Sequence, residues 1–308
     1  MVFRKKITTA LKRTGVQKRK TMIKQYSIII TLFILFATIS CEKDVDFDFE
    51  HNPKLTFNCI LNPDSTIKAD LSFSRVLGGV GEFIPAEGAK INFFENDEFL
   101  GELTELGNGD YSLQYYPKIG STYFVEIKYM NYQILTASTI VPKKTKIEFV
   151  PIHMQPEDEN QRIIVKIHDN IGRNYYWNYC YSISKKNGSK HIASIFPVSS
   201  PHFDDFNREL DADFEYGFYY HYMLRIKDTL HDGEVLQWKK KSNSLGLYYS
   251  YDIYLETDSC YDQYLKTTIQ TRMLENEEIP MSEPVQIFSN VENGYGIFGS
   301  CIKIIRKH

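Results

Sequence analysis

Residues 54–74 read "KLTFNCILNPDSTIKADLSFS". Two runs, "KLTFNCIL" and "TIKADLSFS", are rich in Thr, Ile, Leu and Phe and alternate apolar with polar residues. A period of two sends alternate side chains to opposite faces of a strand. "NPDS" at 62–65 punctuates them with the residues that turns prefer. The stretch therefore predicts two short strands joined by a turn, and the same pattern continues downstream. "AKINFFEN", "YSLQYY", "TYFVEIKY" and "QILTASTIV" are further strand-like runs up to residue 141. "LGGVGE" at 77–82, "END" at 95–97 and "GNGD" at 107–110 separate them as turns. Short strands at this spacing predict an antiparallel sandwich rather than a parallel α/β sheet. No long stretch there shows clean helical periodicity.

"VPKKTK" at 141–146 places a proline and three lysines between strand-like runs and reads as a junction. Beyond it come "IEFVPIHM", the polar loop "QPEDENQ", the strand "RIIVKIHD" and the dense aromatic strand "NYYWNYCYSIS" at 174–184. Residues 186–247 are less regular. "YSYDIYLETDSCYDQYLKTTIQTRM" predicts a strand and then a short helix near 258–273. Its Tyr261, Tyr264, Leu265 and Thr268 fall on one helical face. The chain closes with "EPVQIFSNVENGYGIFGSCIKIIR", which predicts two strands around a glycine-containing loop. The fold class expected is mainly β: an immunoglobulin-like or transthyretin-like sandwich over 53–142, then a second β-rich domain with little helix over 143–308.

Upstream lies a different kind of sequence. "IIITLFILFATI" at 28–39 is an apolar run of 12 residues, short for a spanning helix of about 20. It suits a secretory h-region of about 7–15 residues. Lys24 and the cluster Lys18–Lys20 supply positive charge before it, and Ser40 supplies a small residue before Cys41. An apolar run ending in small residues and cysteine resembles the lipobox of bacterial lipoproteins. Its cysteine carries diacylglycerol and, after cleavage, a further acyl chain such as palmitate. Several chains on one residue anchor stably where one would be marginal. The plainer alternative is an ordinary signal peptide with an incidental cysteine. Residues 1–40 are read as signal peptide, with Met22 offering a tidier start than Met1. Residues 41–52, containing "EKDVDFDFE", are read as an acidic, solvated tether. It resembles the acidic export signal of lipoproteins that face outward from the outer membrane.

Residues 1–40 hold nine of the 36 Lys and Arg and no acid, leaving 27 basic against 39 acidic residues, a net charge of −12. That argues against nucleic acid as a partner, because phosphate binding needs clustered positive charge. Cys59, Cys180, Cys260 and Cys301 remain in the body of the chain, none in a CxxC spacing. Export permits disulfides in any of three connectivities; free buried cysteines fit equally. Neither a metal nor a redox site is expected, and no cofactor.

The quoted runs carry a likeness. "EKDVDFDFE" after Cys41, "LTFNCILNPD", "GAKINFFENDEFLGELTELGNGDYSL", "GSTYFVEI", "STIVPKKTKIEFV" and, most specifically, "EPVQIFSNVENGYGIFGS" resemble the Bacteroidetes lipoprotein family known as domain of unknown function 4249. Ile119 in "PKIGSTY" departs from the family pattern at one turn. The resemblance covers essentially the whole chain after Cys41. It implies the two-part β architecture and a place beside TonB-dependent outer-membrane transporters, with no established activity.

Catalytic and binding candidates are sparse. Asp204, Asp205, Asp211 and Asp213 could offer oxygen ligands to calcium, yet lack the EF-hand order and its glycine; a solvated acidic loop explains them. His153, His168, His191, His202, His221 and His231 show no zinc spacing. No GxSxG elbow, P-loop or GxGxxG occurs. Tyr175, Trp177, Tyr179 and Tyr181 alternate as a two-faced strand would, so sheet packing is preferred over a binding platform. Tyr216, Phe218, Tyr219, Tyr220 and Tyr222 are the preferred partner or ligand surface. Gly294, Gly296 and Gly299 are read as conformational rather than phosphate-binding.

The leading expectation is a non-enzymatic lipoprotein on the outer membrane, lipid-anchored through Cys41 and facing the cell exterior. It would serve as accessory or ligand-capture partner of a TonB-dependent β-barrel transporter. The alternatives are a surface-polymer hydrolase using carboxylates of 204–213, and a structural or adhesion lipoprotein.

Overall fold

The computed structural model describes residues 52–75, 82–152, 162–193, 200–204, 223–228, 232–241, 247–276 and 286–307. The opening alternation folds as expected. β1 (Leu55–Leu61) and β2 (Ile67–Phe73) pair antiparallel, with Leu55, Phe57, Cys59 and Leu61 pointing inward at every second position. The turn between them is held by Asn62, whose carbonyl accepts from Ser65 N at 3.0 Å and whose Oδ1 accepts from Asp64 N at 3.0 Å.

β3 (Lys90–Glu95) and β4 (Glu98–Glu102) form a hairpin on "END". Asn96 and Asp97 both take positive φ there (49° and 68°), as a two-residue hairpin turn requires. β5 (Thr104–Gly107) and β6 (Asp110–Leu113) turn on "GNGD", where Gly107, Asn108 and Gly109 all have positive φ. β4 and β5 are too short to stand out in the sequence. β7 (Thr122–Lys128) and β8 (Leu135–Ile140) complete the first segment.

The later strands are β9 (Lys146–Ile152), β10 (Arg162–His168), β11 (Tyr175–Ser184), β12 (Lys190–Ala193), β13 (Met223–Lys227), β14 (Val235–Lys241), β15 (Tyr248–Thr257) and β16 (Tyr295–Lys307). The helix α1 (Ser259–Asn276) lies where the sequence predicts it. Asp258 caps it: Oδ1 accepts from Tyr261 N at 3.0 Å and Oδ2 from Cys260 N at 3.3 Å. Of the expected face, Tyr261 and Leu265 meet the sheet and Ile269 continues their row, while Tyr264 stacks on Tyr261 instead.

The C-terminal expectation needs correction. "EPVQIFSNV" forms no strand over the described residues 286–291, and one long strand, β16, replaces the second run. The segment is pinned instead by side chains. Asn290 Oδ1 accepts from Phe298 N at 2.9 Å, and its Nδ2 donates to Phe298 O at 2.8 Å. The three glycines of "ENGYGIFGS" divide their roles. Gly296 has φ +113°, and a Cβ there would lie 2.0 Å from Phe57 O; at Gly294 and Gly299 the chain simply passes too close to Leu55 O and Tyr261 for a side chain.

β16 organises the whole. Its first half runs parallel to β1 and its second half antiparallel to β15. A nine-stranded sheet therefore runs β12-β11-β15-β16-β1-β2-β6-β5, with β13 beside β11. It passes through both segments proposed on either side of residue 142, and residues 51–308 form one contact unit. The four-stranded sheet β4-β3-β7-β8 covers one half of the long sheet, enclosing Leu55, Phe57, Ile91, Phe93, Tyr123, Val125 and Phe298. The three-stranded sheet β14-β10-β9 covers the other half over Val165, Tyr176, Leu224, Trp238 and Tyr254. α1 packs on the opposite face, over Trp177, Ile253 and Cys301. Pro151 sits in β9, an edge strand, the place where a sheet tolerates proline.

Candidate functional site

Cys41, the tether, Asp205, Asp211, Asp213 and the aromatic group Tyr216, Phe218, Tyr219, Tyr220 and Tyr222 lie outside the described residues. So do His153, His221 and His231. Asp204 is described and is no free ligand: its Oδ2 pairs with Arg225 NH1. His168 on β10 lies 3.2 Å from Glu148, His191 on β12 is exposed beside Ser189, and His202 is half-buried. Among the described residues no His, Cys, Asp or Glu group is arranged to hold a metal ion. Cys59, Cys180, Cys260 and Cys301 are free thiols, three of them buried. Burial pushes Cys180 and Cys301 each up to about 12. Both therefore stay protonated and act as small core residues rather than nucleophiles.

The two faces of β11 account for its aromatics. Trp177, Tyr179 and Tyr181 meet the α1 side, and Tyr176 and Cys180 the three-stranded sheet. Sheet packing is what these side chains do.

The second half of the molecule also buries charge. Arg225 on β13 donates to Asp262 on α1 through Nε and NH2, both at 2.8 Å, while Trp177 Nε1 donates to the same carboxylate at 3.0 Å. Lys240 on β14 donates to Asp252 on β15 at 2.5 Å, and the Cys180 thiol donates to that oxygen at 2.7 Å. Glu256 accepts from Thr145 N at 2.9 Å and Thr145 Oγ1 at 3.0 Å. Burial pushes Glu256 up to about 7 against these bonds, with the neighbouring Asp169 charge adding to the rise. Each group joins segments distant in sequence, and each is closed to substrate by its burial. They are structural ties.

The surface offers a different arrangement. On the outer face of the four-stranded sheet, Phe94 packs between Phe99 (centroids 5.6 Å) and Phe124 (5.8 Å). Ile140 on β8 shares that face, opposite Thr122 in register. Phe99 is 63% exposed and Ile140 52%, where a solvated sheet face would carry polar residues. Charged pairs border the stripe: Lys128–Glu126 at 2.7 Å and Lys90–Glu102 at 3.6 Å. An apolar centre with a polar rim is the anatomy of a protein interface. The sequence held the signal. In "TYFVEIK" Phe124 occupies a position where the alternation calls for a polar residue. Nearby, an open recess of about 510 Å³ is lined by Gly88, Lys90, Glu102, Leu103 and Glu105. Its acids are already engaged, Glu105 by Gly88 N at 2.9 Å and Glu102 by Lys90.

The early strands and the glycine-bearing start of β16 follow the stretches on which the family resemblance rests, and the family model matches residues 42–303. The chain belongs to the family described as "Domain of unknown function (DUF4249)". No curated protein matches this DUF4249 chain. Among solved structures it is similar to a chain from "Complete structure of manganese lipoxygenase of Gaeumannomyces graminis and partial structure of zonadhesin of Komagataella pastoris". That match has 11% identity and a TM-score of 0.20, over 68% of this chain and 90% of that one. Such a likeness is too loose to inform fold or function.

Proposed function

We propose that this DUF4249 chain is a non-enzymatic lipoprotein of the outer-membrane surface, anchored through Cys41, that docks beside a TonB-dependent β-barrel transporter. The apolar run 28–39, Ser40 and Cys41 support the anchor, and the acidic residues 42–50 support exposure on the outer face. The observation that carries the docking role is the Phe94–Phe99–Phe124 stripe, an exposed aromatic surface on a rigid sheet. Aromatic side chains on a fixed scaffold bind with little loss of side-chain freedom, which suits a lasting protein–protein contact.

The test is a gentle-detergent pull-down of the tagged lipoprotein from outer membranes, read by mass spectrometry. A stoichiometric TonB-dependent barrel is expected with the native chain. Phe99→Asp/Phe124→Asp should lose the barrel while remaining in the membrane fraction. Absence of a barrel with the native chain, under conditions that keep other lipoprotein–barrel pairs intact, overturns the reading.

A further inference from the structure

One end of the sandwich gathers apolar side chains that the core does not use. β1 begins there, and Lys54 and Ser74 bond to each other twice: Ser74 N donates to Lys54 O at 2.8 Å, and Lys54 N to the Ser74 side-chain Oγ at 3.0 Å. Beside them Phe73 packs against Tyr129 and Tyr132, each pair of centroids 5.8 Å apart, and Phe73 N donates to Ile84 O at 2.8 Å. The β7–β8 turn carries Met130 and Ile134, and Asn293 Nδ2 donates to Ile134 O at 2.9 Å. That bond joins the turn to the start of β16 at Tyr295.

At this end Met130 is 81% exposed, Ile84 66% and Phe83 55%; Tyr132, Ile134 and Tyr295 are also exposed. Two cations lie over rings of the group: Lys54 Nζ is 5.2 Å from the Tyr295 centroid and the Arg75 guanidinium 4.2 Å from that of Phe83. Aromatic rings with polar edges, long apolar side chains and Lys or Arg whose heads reach water are the set that settles at a membrane–water interface.

The position of the chain start names the occupant. Residue 52 enters at this end, so the tether leads from these residues to Cys41. Fully extended, residues 42–52 span at most about 40 Å, at ~3.3–3.6 Å per residue. A lipid on Cys41 would therefore keep this end, where the tether joins the body, within reach of the bilayer. The far end is marked by β16, whose 13 residues run roughly 40 Å at about 3.3 Å per residue to Lys307. Lys307 stacks on Tyr249, near Leu247.

We propose that the Phe83–Ile84–Met130–Tyr132–Tyr295 end rests in the lipid headgroup region of the anchoring membrane, so that the body stands upright with the β15–β11 end outward. This rests on the lipoprotein reading above. Once the tether holds the end at the surface, each further insertion is intramolecular, and weak apolar contacts suffice to fix orientation.

The native tryptophans provide a constant background to subtract, because Trp177 and Trp238 are both buried and out of reach of a lipid-borne quencher. Three single-reporter variants, Ile84→Trp, Tyr132→Trp and Leu247→Trp, would be placed on vesicles of phosphatidylethanolamine and phosphatidylglycerol containing brominated phosphatidylcholine. One arm uses the purified membrane-extracted protein. The other uses the mature chain with a histidine tag in place of Cys41, held on nickel-chelating lipid. Loss of reporter emission is expected for Ile84→Trp and Tyr132→Trp, and none for Leu247→Trp. Equal emission from all three in the tagged arm, or quenching of Leu247→Trp alone, overturns the proposal, and a partner protein or a second copy then becomes the occupant of this end. Quenching in the tagged arm combined with failure of the extracted protein to bind vesicles would sink the Cys41 anchor and leave the interface standing.

Discussion

The two halves of the long sheet are stabilised by different means. Under the four-stranded sheet the core is a continuous apolar mass, in which Phe298 lies 5.4 Å from Phe93 and 6.2 Å from Phe57. Its main carboxylate hub, Glu95, sits at the margin. Burial alone would raise the Glu95 pKa, but bonds from Lys118 (2.7 Å), Tyr123 (2.5 Å) and Tyr115 (2.9 Å) win and hold it low. Between the three-stranded sheet and α1, by contrast, Lys240–Asp252, Arg225–Asp262 and Glu256–Thr145 lie inside the packing. An apolar core tolerates many arrangements of similar volume. A buried charge tolerates only the partner that meets it, so the second half is set by specific pairs and the first by pattern and shape.

The largest expected effect tests the pairs. Lys240→Met leaves Asp252 buried without its cation and should cost about 3–5 kcal/mol in urea unfolding, the usual penalty for half of a broken buried pair. Lys240→Met/Asp252→Leu should recover most of that loss, because apolar replacement of both partners is often neutral. If the double variant stays as unstable as the single, the Lys240–Asp252 pair is not what the second half depends on.

A smaller effect comes from pH. Glu256 has its folded-state pKa raised from 4.5 to about 7, so folding favours its protonated form. Its stabilising contribution is full below about pH 4.5 and lost as pH rises through about 7. At about 1.36 kcal/mol per unit, the swing is about 3 kcal/mol. Glu256→Gln stays neutral throughout and should remove that slope, being relatively more stable than the native chain at pH 8 than at pH 4.5. Parallel pH profiles for the two proteins would place the titration elsewhere. Glu95, with its lowered pKa, contributes the opposite slope, lost on acidification.

The smallest effect sharpens the other side of the comparison. Ile91→Val removes one methylene from the fully buried apolar core and should cost about 0.5–1.5 kcal/mol without pH dependence. A loss as large as that of Lys240→Met would mean that the first half is no more tolerant than the second.

The period-two runs made most strands legible, and the helical spacing of Tyr261 and Leu265 located α1, while Ile269 in its sheet-facing row and the Asp258 cap emerged only from the structure. "EPVQIFSNV" misled because its apolar residues suit a strand, while Asn290 satisfies the backbone of β16 and holds the segment outside the sheet. β4 and β5 escaped notice because strands of five and four residues have too few positions to show a period. The candidate surface was half legible. Phe124 breaks its alternation visibly, but only the pairing of β3 with β4 and β7 brings Phe94, Phe99 and Phe124 together.

By itself the sequence determined the mainly β class, the place of the helix and the family. These are local properties, written in periods of two or 3.6, in turn residues and in short family motifs. Tertiary structure alone decided that the last strand pairs with the first, that Lys240 meets Asp252 and Arg225 meets Asp262, and which aromatics stay outside. Those outcomes depend on which faces other strands cover, and no local pattern encodes which partner a strand or a charge meets, whether it lies 12 residues away, as Asp252 does from Lys240, or more than two hundred, as β16 does from β1.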